Sequence, residues 1–417
     1  MSGIIPAPKT MLSVSEARER ILSNFQATAK ASLSLNECAN RVLAADITAP
    51  YDLPLFNNSS MDGFAIRAAD SPEADASRVT LSVVADIPAG SAPNVILAQG
   101  QAARIMTGAQ VPEGADAVIP VEDTDFSSQA AGTLAPKTVS FTKHVKPGDN
   151  VRLRGIDLHE GDIVLHKSRR LKPQDLGLLA MLGFSNVAVH KKPRVALFSS
   201  GDELIDIGAP LTAGKIHDSN SYVMSALLQN AGVDVMALGV AKDNRESVDG
   251  LLQKTVHEDL DLIISTAGVS VGAFDFVKEA IESQGRLDFW RVNMRPGKPL
   301  AFGEYQGKPF IGLPGNPVSA FVGFEVFVRP VLEKLSGQLD GIRHTVKVRC
   351  AELIESDGRE SYLRATIREE NGIRIAELTG HQGSGNLLSL VQAGALLIIP
   401  AGVKCVPVGQ EVDAILL

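Results

Sequence analysis

Cysteine is scarce in this chain of 417 residues: Cys38, Cys350 and Cys405 are the full set. An odd number at wide spacing argues against a disulfide framework and against a zinc knuckle, and it suits the cytoplasm. The eight histidines are scattered, with no pair at helical ligand spacing, so a histidine-held transition metal is not expected. A basic excess is also missing. The net charge of −8 disfavours a nucleic-acid partner, which normally meets a basic face. No apolar run reaches the roughly eighteen residues that a membrane span needs. The segment Met1 to Met11 lacks the basic-then-apolar order of a secretory signal. There is no catalytic triad, P-loop or dinucleotide fingerprint, since Gly201-Asp202-Glu203 does not continue into a Gly-Lys-Ser/Thr ending. Internal repeats and low-complexity tracts are absent too.

What remains is an ordinary globular composition, 45% hydrophobic and 21% charged, in a chain too long for one core. Ser13 to Arg18 carries cap residues and a carboxylate ahead of Ile21, Leu22 and Phe25, which predicts a helix. A second short helix is expected at Leu35–Arg41. From 52 to 149 short β-rich runs alternate with turn residues, and helical period returns at Lys172–Leu182, with Leu176, Leu179, Ala180 and Met181 on one face. These pieces predict a helical N-terminal module, 1–51 and 150–190, with a β-rich domain, 52–149, inserted into it. Residues 191–333 alternate strands with helices of ten to fifteen residues, the pattern of a parallel α/β sheet. Its helices are expected at Ser219–Asn230, with Tyr222, Val223, Ala226 and Leu227 on one side, at Arg245–Val256, after Asp275, and from Pro317 to Leu335. Residues 334–417 read as a C-terminal β domain. The fold class is therefore multidomain α/β plus β.

In such sheets ligands bind outside the carboxyl ends of the strands, where this chain puts its polar loops. Ser200-Gly201-Asp202-Glu203 follows a buried strand and offers backbone N–H groups beside two carboxylates, or else a capped strand-to-helix turn. Thr266 to Asp275, including Ser270, allows close approach of a phosphate, with Asp275 either a helix cap or a ligand contact. Arg291, Arg295 and Lys298 gather three cations around Pro296 and Pro299, a pocket for an oxyanion. Gly312 to Ser319, with Pro314, Asn316 and Pro317, reads as a helix start capped by Asn316, leaving an N-terminus free for an anion. Asn57 to Ala65 reads as a polar turn. Arg104 to Ala109 ends a strand with Thr-Gly, and Arg152 and Arg154 fall on one face of a strand. Each of these segments alone is ordinary turn chemistry.

As a set they resemble the molybdenum insertase family, called MoeA in bacteria and represented in animals by the C-terminal domain of gephyrin. The resemblance rests on Ser60-Met61-Asp62-Gly63-Phe64-Ala65, Arg104-Ile105-Met106-Thr107-Gly108-Ala109, Ser200-Gly201-Asp202-Glu203-Leu204, Pro296-Gly297-Lys298-Pro299 and Leu313-Pro314-Gly315-Asn316-Pro317-Val318-Ser319. It spans nearly the whole chain. It implies a homodimer of four-domain subunits with a molybdopterin-binding-like sheet domain at 191–333 and a C-terminal β-barrel. It implies the conversion of adenylylated molybdopterin and molybdate to molybdenum cofactor and AMP with a divalent cation, usually magnesium. The family's functional acids fall on Asp62, Asp157, Glu203, Asp243 and Asp275, its Thr on Thr107, its Arg on Arg152 and its loop prolines on Pro314 and Pro317. Glu203, Asp243 and Asp275 are the expected magnesium ligands. Asp62 and Thr107 are expected to reach in from the partner subunit. Arg291 and Arg295 stand where the family often has Lys, while Ala267 and Ala273 replace a Gly and an acid. Implied partners are the molybdopterin adenylyltransferase and molybdoenzyme maturation proteins. Two alternatives stay open: an adenylyltransferase, which is essentially the sheet domain alone, and a non-catalytic dimeric scaffold of the same fold.

Overall fold

The computed structural model describes residues 11–73, 77–126, 133–267, 274–338 and 344–417, with only the backbone described at Ala267, Phe274, Asp275 and Trp290. It divides into two units: one holds the chain up to Ala45, Lys167–Gly177 and Ser185–Leu417, and the other holds Asp46–His166 and Leu178–Phe184.

The larger unit is organised by a six-stranded sheet in the order Asp234–Ala241, Arg194–Ser200, Leu262–Ala267, Lys308–Leu313, Pro299–Tyr305 and Gly285–Arg291. The first four strands are parallel; the inner three are buried on both faces, which is why their sequences are continuous apolar runs, and the edge strand Asp234–Ala241 buries only Leu238 and Ala241. Alternate side chains supply two cores. Val195, Leu197, Leu262 and Ile264 enter one, and Ala196, Phe198 and Ile263 enter the other. The last two strands are antiparallel, so the all-parallel expectation holds for only part of the sheet.

The helix Val14–Leu22 forms with the expected capping box, in which Ser13 and Glu16 satisfy each other's backbone N–H groups. Its buried Val14, Ala17 and Ile21 belong to the first sheet core. The helix expected at Leu35–Arg41 is one 3-10 turn, Leu35–Glu37, preceded by a strand, Lys30–Ser34, that pairs with Asn186–His190. Within Asn220–Asn230 the buried face carries Asn220, Met224 and Leu228, and Tyr222 points outward, so the expected face is rotated. Of the face expected on Pro173–Met181, Leu179 is buried and Met181 is exposed. The expected long helix runs as Pro317–Gly323, a π turn Phe324–Val328, and Arg329–Leu335. Pro330 explains the wide turn, because its ring collides with the carbonyl four residues back in a regular helix.

The C-terminal strands Glu360–Glu370, Ile373–Leu378, Val346–Cys350, Glu411–Leu416 and Ala395–Ile399 close on themselves, since the last pairs with the first. This five-stranded barrel has its own core around Val348, Leu363, Leu397 and Val412. Its Tyr362, Leu396 and Ile415 enter the sheet core. The strand Met294–Arg295 extends it beside Glu360–Ser361.

In the smaller unit a five-stranded sheet runs Ala117–Pro120, Gly63–Ile66, Gln101–Ile105, Val79–Ile87 and Thr138–Phe141. Phe64 and Ile66 face one core, Ala65 the other. The expected turn at Asn57–Ala65 is thus half strand: Asn58–Ser59 pairs with Val151–Arg152, and Gly63–Ile66 is central.

Cys38 and Cys350 are buried thiols, Cys405 is exposed, and all three are free. Among the described residues no helix is long and apolar enough to cross a membrane.

Candidate functional site

Where the parallel strands of the larger unit end, the chain opens a cleft of about 510 Å³. Ser200 closes one strand and Thr266 is next to last in another, and both line it. Glu203, Pro314 and Pro317 line it as the sequence suggests. The loop after Ser200 does not enter a helix. It leads to Leu204–Ile205, which pairs in parallel with Ile216–His217, and only then does Asn220–Asn230 begin. Asp202 is therefore no helix cap. Gly201 has φ +154°, and a Cβ there would lie 2.8 Å from the Glu203 carboxylate, so glycine keeps room for that side chain.

Across this loop lies Asp243. Its Oδ2 accepts the Asp202 N–H at 3.3 Å, and the Asp243 N–H donates to Asp202 Oδ1 at 3.2 Å. Burial raises the Asp243 carboxyl above its ordinary range, and the charges of Asp202 and Glu203 add to the rise. Asp243 Oδ1 is buried with no hydrogen-bond partner. An unpartnered carboxylate oxygen under the charge of two neighbouring acids has the oxygen chemistry that a hard dication takes. Among the described residues no three His, Cys, Asp or Glu side chains converge as a metal site. The Asp275 side chain and Ser270 lie outside the described residues, as do the glycines of that loop.

The expected cation pocket is looser. Arg291 and Lys298 are exposed; Lys298 precedes the cleft residue Pro299, with which Arg291 is in register. Arg295 instead lies 3.7 Å from Asp357 of the C-terminal region, which is also bound by Arg359. The helix start at Pro317 differs from expectation in two ways. Asn316 makes no side-chain cap, and the Val318 N–H donates to the Ser384 carbonyl at 3.1 Å, so one N–H of that terminus is already engaged.

The smaller unit holds the other expected residues. Asp62 Oδ1 accepts both the Thr107 N–H and the Thr107 hydroxyl, each at 2.7 Å, and these two bonds hold its carboxyl below the usual range. Arg152 pairs with Asp157 at 2.5 Å. Arg154 pairs with Asp52 at 2.6 Å instead. The strand ends at Arg152, so the two cations do not share a strand face.

Sequence reasoning missed His217, Asp218 and Asn220, which line the cleft beside the start of Asn220–Asn230. The triplet Asp218-Ser219-Asn220 ahead of a helix in a crossover was the available signal, since such starts lie at the carboxyl end of the sheet.

A half-parallel sheet with acids, hydroxyls and prolines at its open end, a closed barrel, and a second β unit define a multidomain α/β ligand-handling protein. Residues 12–183 match the family model described as MoeA N-terminal region (domain I and II), 196–334 the probable molybdopterin binding domain, and 347–417 the MoeA C-terminal region (domain IV). The molybdopterin molybdenumtransferase of Haemophilus influenzae is 35% identical over 407 residues, covering 96% of this chain and 98% of that one. Molybdopterin molybdenumtransferase 2 of Mycobacterium tuberculosis is 38% identical over 411 residues, 97% of this chain and 99% of that one. The crystal structure of a molybdopterin biosynthesis MoeA protein from Pyrococcus horikoshii superposes with a TM-score of 0.80 at 29% identity, covering 98% and 100% of the two chains. The chain belongs to the molybdopterin molybdenumtransferase (MoeA) family, a family of enzymes.

Proposed function

We propose that this chain is a molybdenum insertase, transferring molybdate to adenylylated molybdopterin with release of AMP in molybdenum cofactor synthesis. The observation that carries the reading is the buried Asp243 Oδ1, left without a partner beside the loop from which Glu203 lines the cleft. Glu203, Asp243 and Asp275 would hold magnesium, which when bound neutralises charge on the adenylyl phosphate. Ser200, Gly201, Asp202 and Ser270 would contact the phosphate. Arg291, Arg295 and Lys298 would hold molybdate or the terminal phosphate of the pterin, and Pro314 and Pro317 would fix the loop opposite. The chain would act as a homodimer in the cytoplasm, with domains at 1–51 plus 150–190, 52–149, 191–333 and 334–417. Asp62, Thr107, Arg152 and Asp157 would complete the site from a second copy. Adenylyltransferase and molybdoenzyme maturation proteins would be its partners.

Purified chain given adenylylated molybdopterin, magnesium and molybdate should release AMP only when molybdate is present. AMP release indifferent to molybdate would refute the reading. For the shared site, inactive Asp62→Ala and Glu203→Ala proteins should regain activity when mixed, and a mixture that stays inactive would place all the acids in one copy.

A further inference from the structure

Beneath the cleft runs a line of hydroxyls, from half-buried Ser221 to buried Ser199 and Thr266, whose hydrogen-bond directions are fixed. The Ser221 hydroxyl lies 2.5 Å from Asp218 Oδ2, and the Ser221 N–H donates to Asp218 Oδ1 at 3.1 Å. A carboxylate only accepts, so the single Ser221 hydroxyl hydrogen goes to Asp218. Ser199 Oγ lies 2.9 Å from Ser221 Oγ, so Ser199 must donate there. Ser199 Oγ also lies 2.7 Å from Thr266 Oγ1, so Thr266 must donate to Ser199. Its hydrogen is committed, and Thr266 has only lone pairs to offer the cleft it lines.

Asn220 reaches the same condition by another route. Its amide nitrogen donates to the Gly315 carbonyl at 2.7 Å, a contact only the NH2 end can make. That fixes the other end as Oδ1, which is buried and has no partner, on a side chain of a residue only 9% exposed. A buried acceptor left without a donor costs free energy until something supplies one.

We infer that the cleft floor is an acceptor surface on which Thr266 Oγ1 and Asn220 Oδ1 receive hydrogen bonds from an amino-bearing edge of the substrate's heterocycle. The inference rests on the proposed function and deepens it. Adenylylated molybdopterin carries two such edges, on the pterin and on the adenine, and both present an aromatic amine. Thr266 and Asn220 are specificity residues in this account. Ser199, Ser221 and Asp218 are positioning residues that act through Thr266.

The test is calorimetric binding of two probe pairs to the full chain: pterin against lumazine, in which an oxo group replaces the amine, and AMP against IMP, which differ likewise. One pair should show at least about a tenfold preference for the amine, the scale of a site that rejects an analogue lacking its donor. The pair that discriminates identifies the ring. Thr266→Val should abolish that preference. Ser199→Ala should shrink it by strengthening the oxo member, because the freed Thr266 hydrogen can then serve an acceptor. Thermal unfolding checks that both variants are folded, and the wild-type comparison needs neither. Equal affinity within both pairs, or no measurable binding of any probe, would overturn the inference, as would a preference unchanged in both variants. Wild-type protein that releases AMP on molybdate addition yet does not discriminate sinks this inference alone. Discrimination without molybdate-dependent AMP release sinks the insertase reading instead.

Discussion

Asp62 and Asp243 both follow or precede strands and both belong to the set of acids the sequence singled out, but their surroundings differ. Asp62 is complete. One oxygen takes two hydrogen bonds from Thr107, and its carboxyl is held below the usual range. Asp243 is incomplete. One oxygen accepts a long bond from Asp202, the other is buried without a partner, and burial with two neighbouring acids pushes the carboxyl up. A satisfied carboxylate holds a loop; an unsatisfied one holds free energy in reserve for a ligand. The two acids therefore should respond differently to the same substitution.

The largest expected effect is on turnover. Asp243→Asn should lower molybdate-dependent AMP release by at least about a hundredfold, the scale of several kcal/mol of charge stabilisation. Its melting temperature should stay level or rise, because a repelled buried charge is gone. Near wild-type AMP release in that variant would erase the contrast. Next comes packing beside Asp62. A Cβ at Gly63 would lie 2.0 Å from the Ile119 carbonyl oxygen in a central strand. Gly63→Ala should cost about 3 kcal/mol in chemical unfolding, the upper part of the range for overpacking. A neutral result would show that the strand beside Asp62 yields easily.

A smaller effect is expected from Asp62→Ala, about 1 kcal/mol, since the side chain is exposed and the bonds to Thr107 are partly replaced by water. Asp62→Asn keeps the acceptor and should cost less. Equal losses in the two would mean that charge matters more than geometry. The smallest effect is on pH. The folded carboxyls of Asp62 and Asp175 lie below their ordinary values, the latter through its two-bond pairing with Arg169. Their stabilisation is whole above the unfolded value near pH ~4 and fades as pH falls through the folded values. Asp175→Asn should flatten the acid limb of the melting curve below pH ~4, and a limb of unchanged slope would assign acid sensitivity to other groups.

Much of this was readable from sequence where local pattern and burial agree. Val-Ala-Leu-Phe at 195–198 could only be a strand buried on both faces, and it feeds two cores. The Ser13–Glu16 box named its own helix start. Reading failed where partners distant in sequence decide. Gly285–Arg291 and Pro299–Tyr305 add an antiparallel edge, with Gly285 and Gly303 packed against facing backbone, a closeness no period reveals. Arg152 and Arg154 alternate like strand neighbours, yet the strand stops between them and each finds its own carboxylate. Asp218 and Asn220 drew no reading from the sequence, because their bonding runs through Ser221, Ser199, Thr266 and Gly315, most of them on other elements.

The most direct measurement is a calorimetric magnesium titration of wild type, Asp243→Asn and Asp62→Asn side by side. The account predicts one saturable site per chain in wild type and in Asp62→Asn, and none in Asp243→Asn. Binding that survives in Asp243→Asn, or disappears in Asp62→Asn, would contradict it.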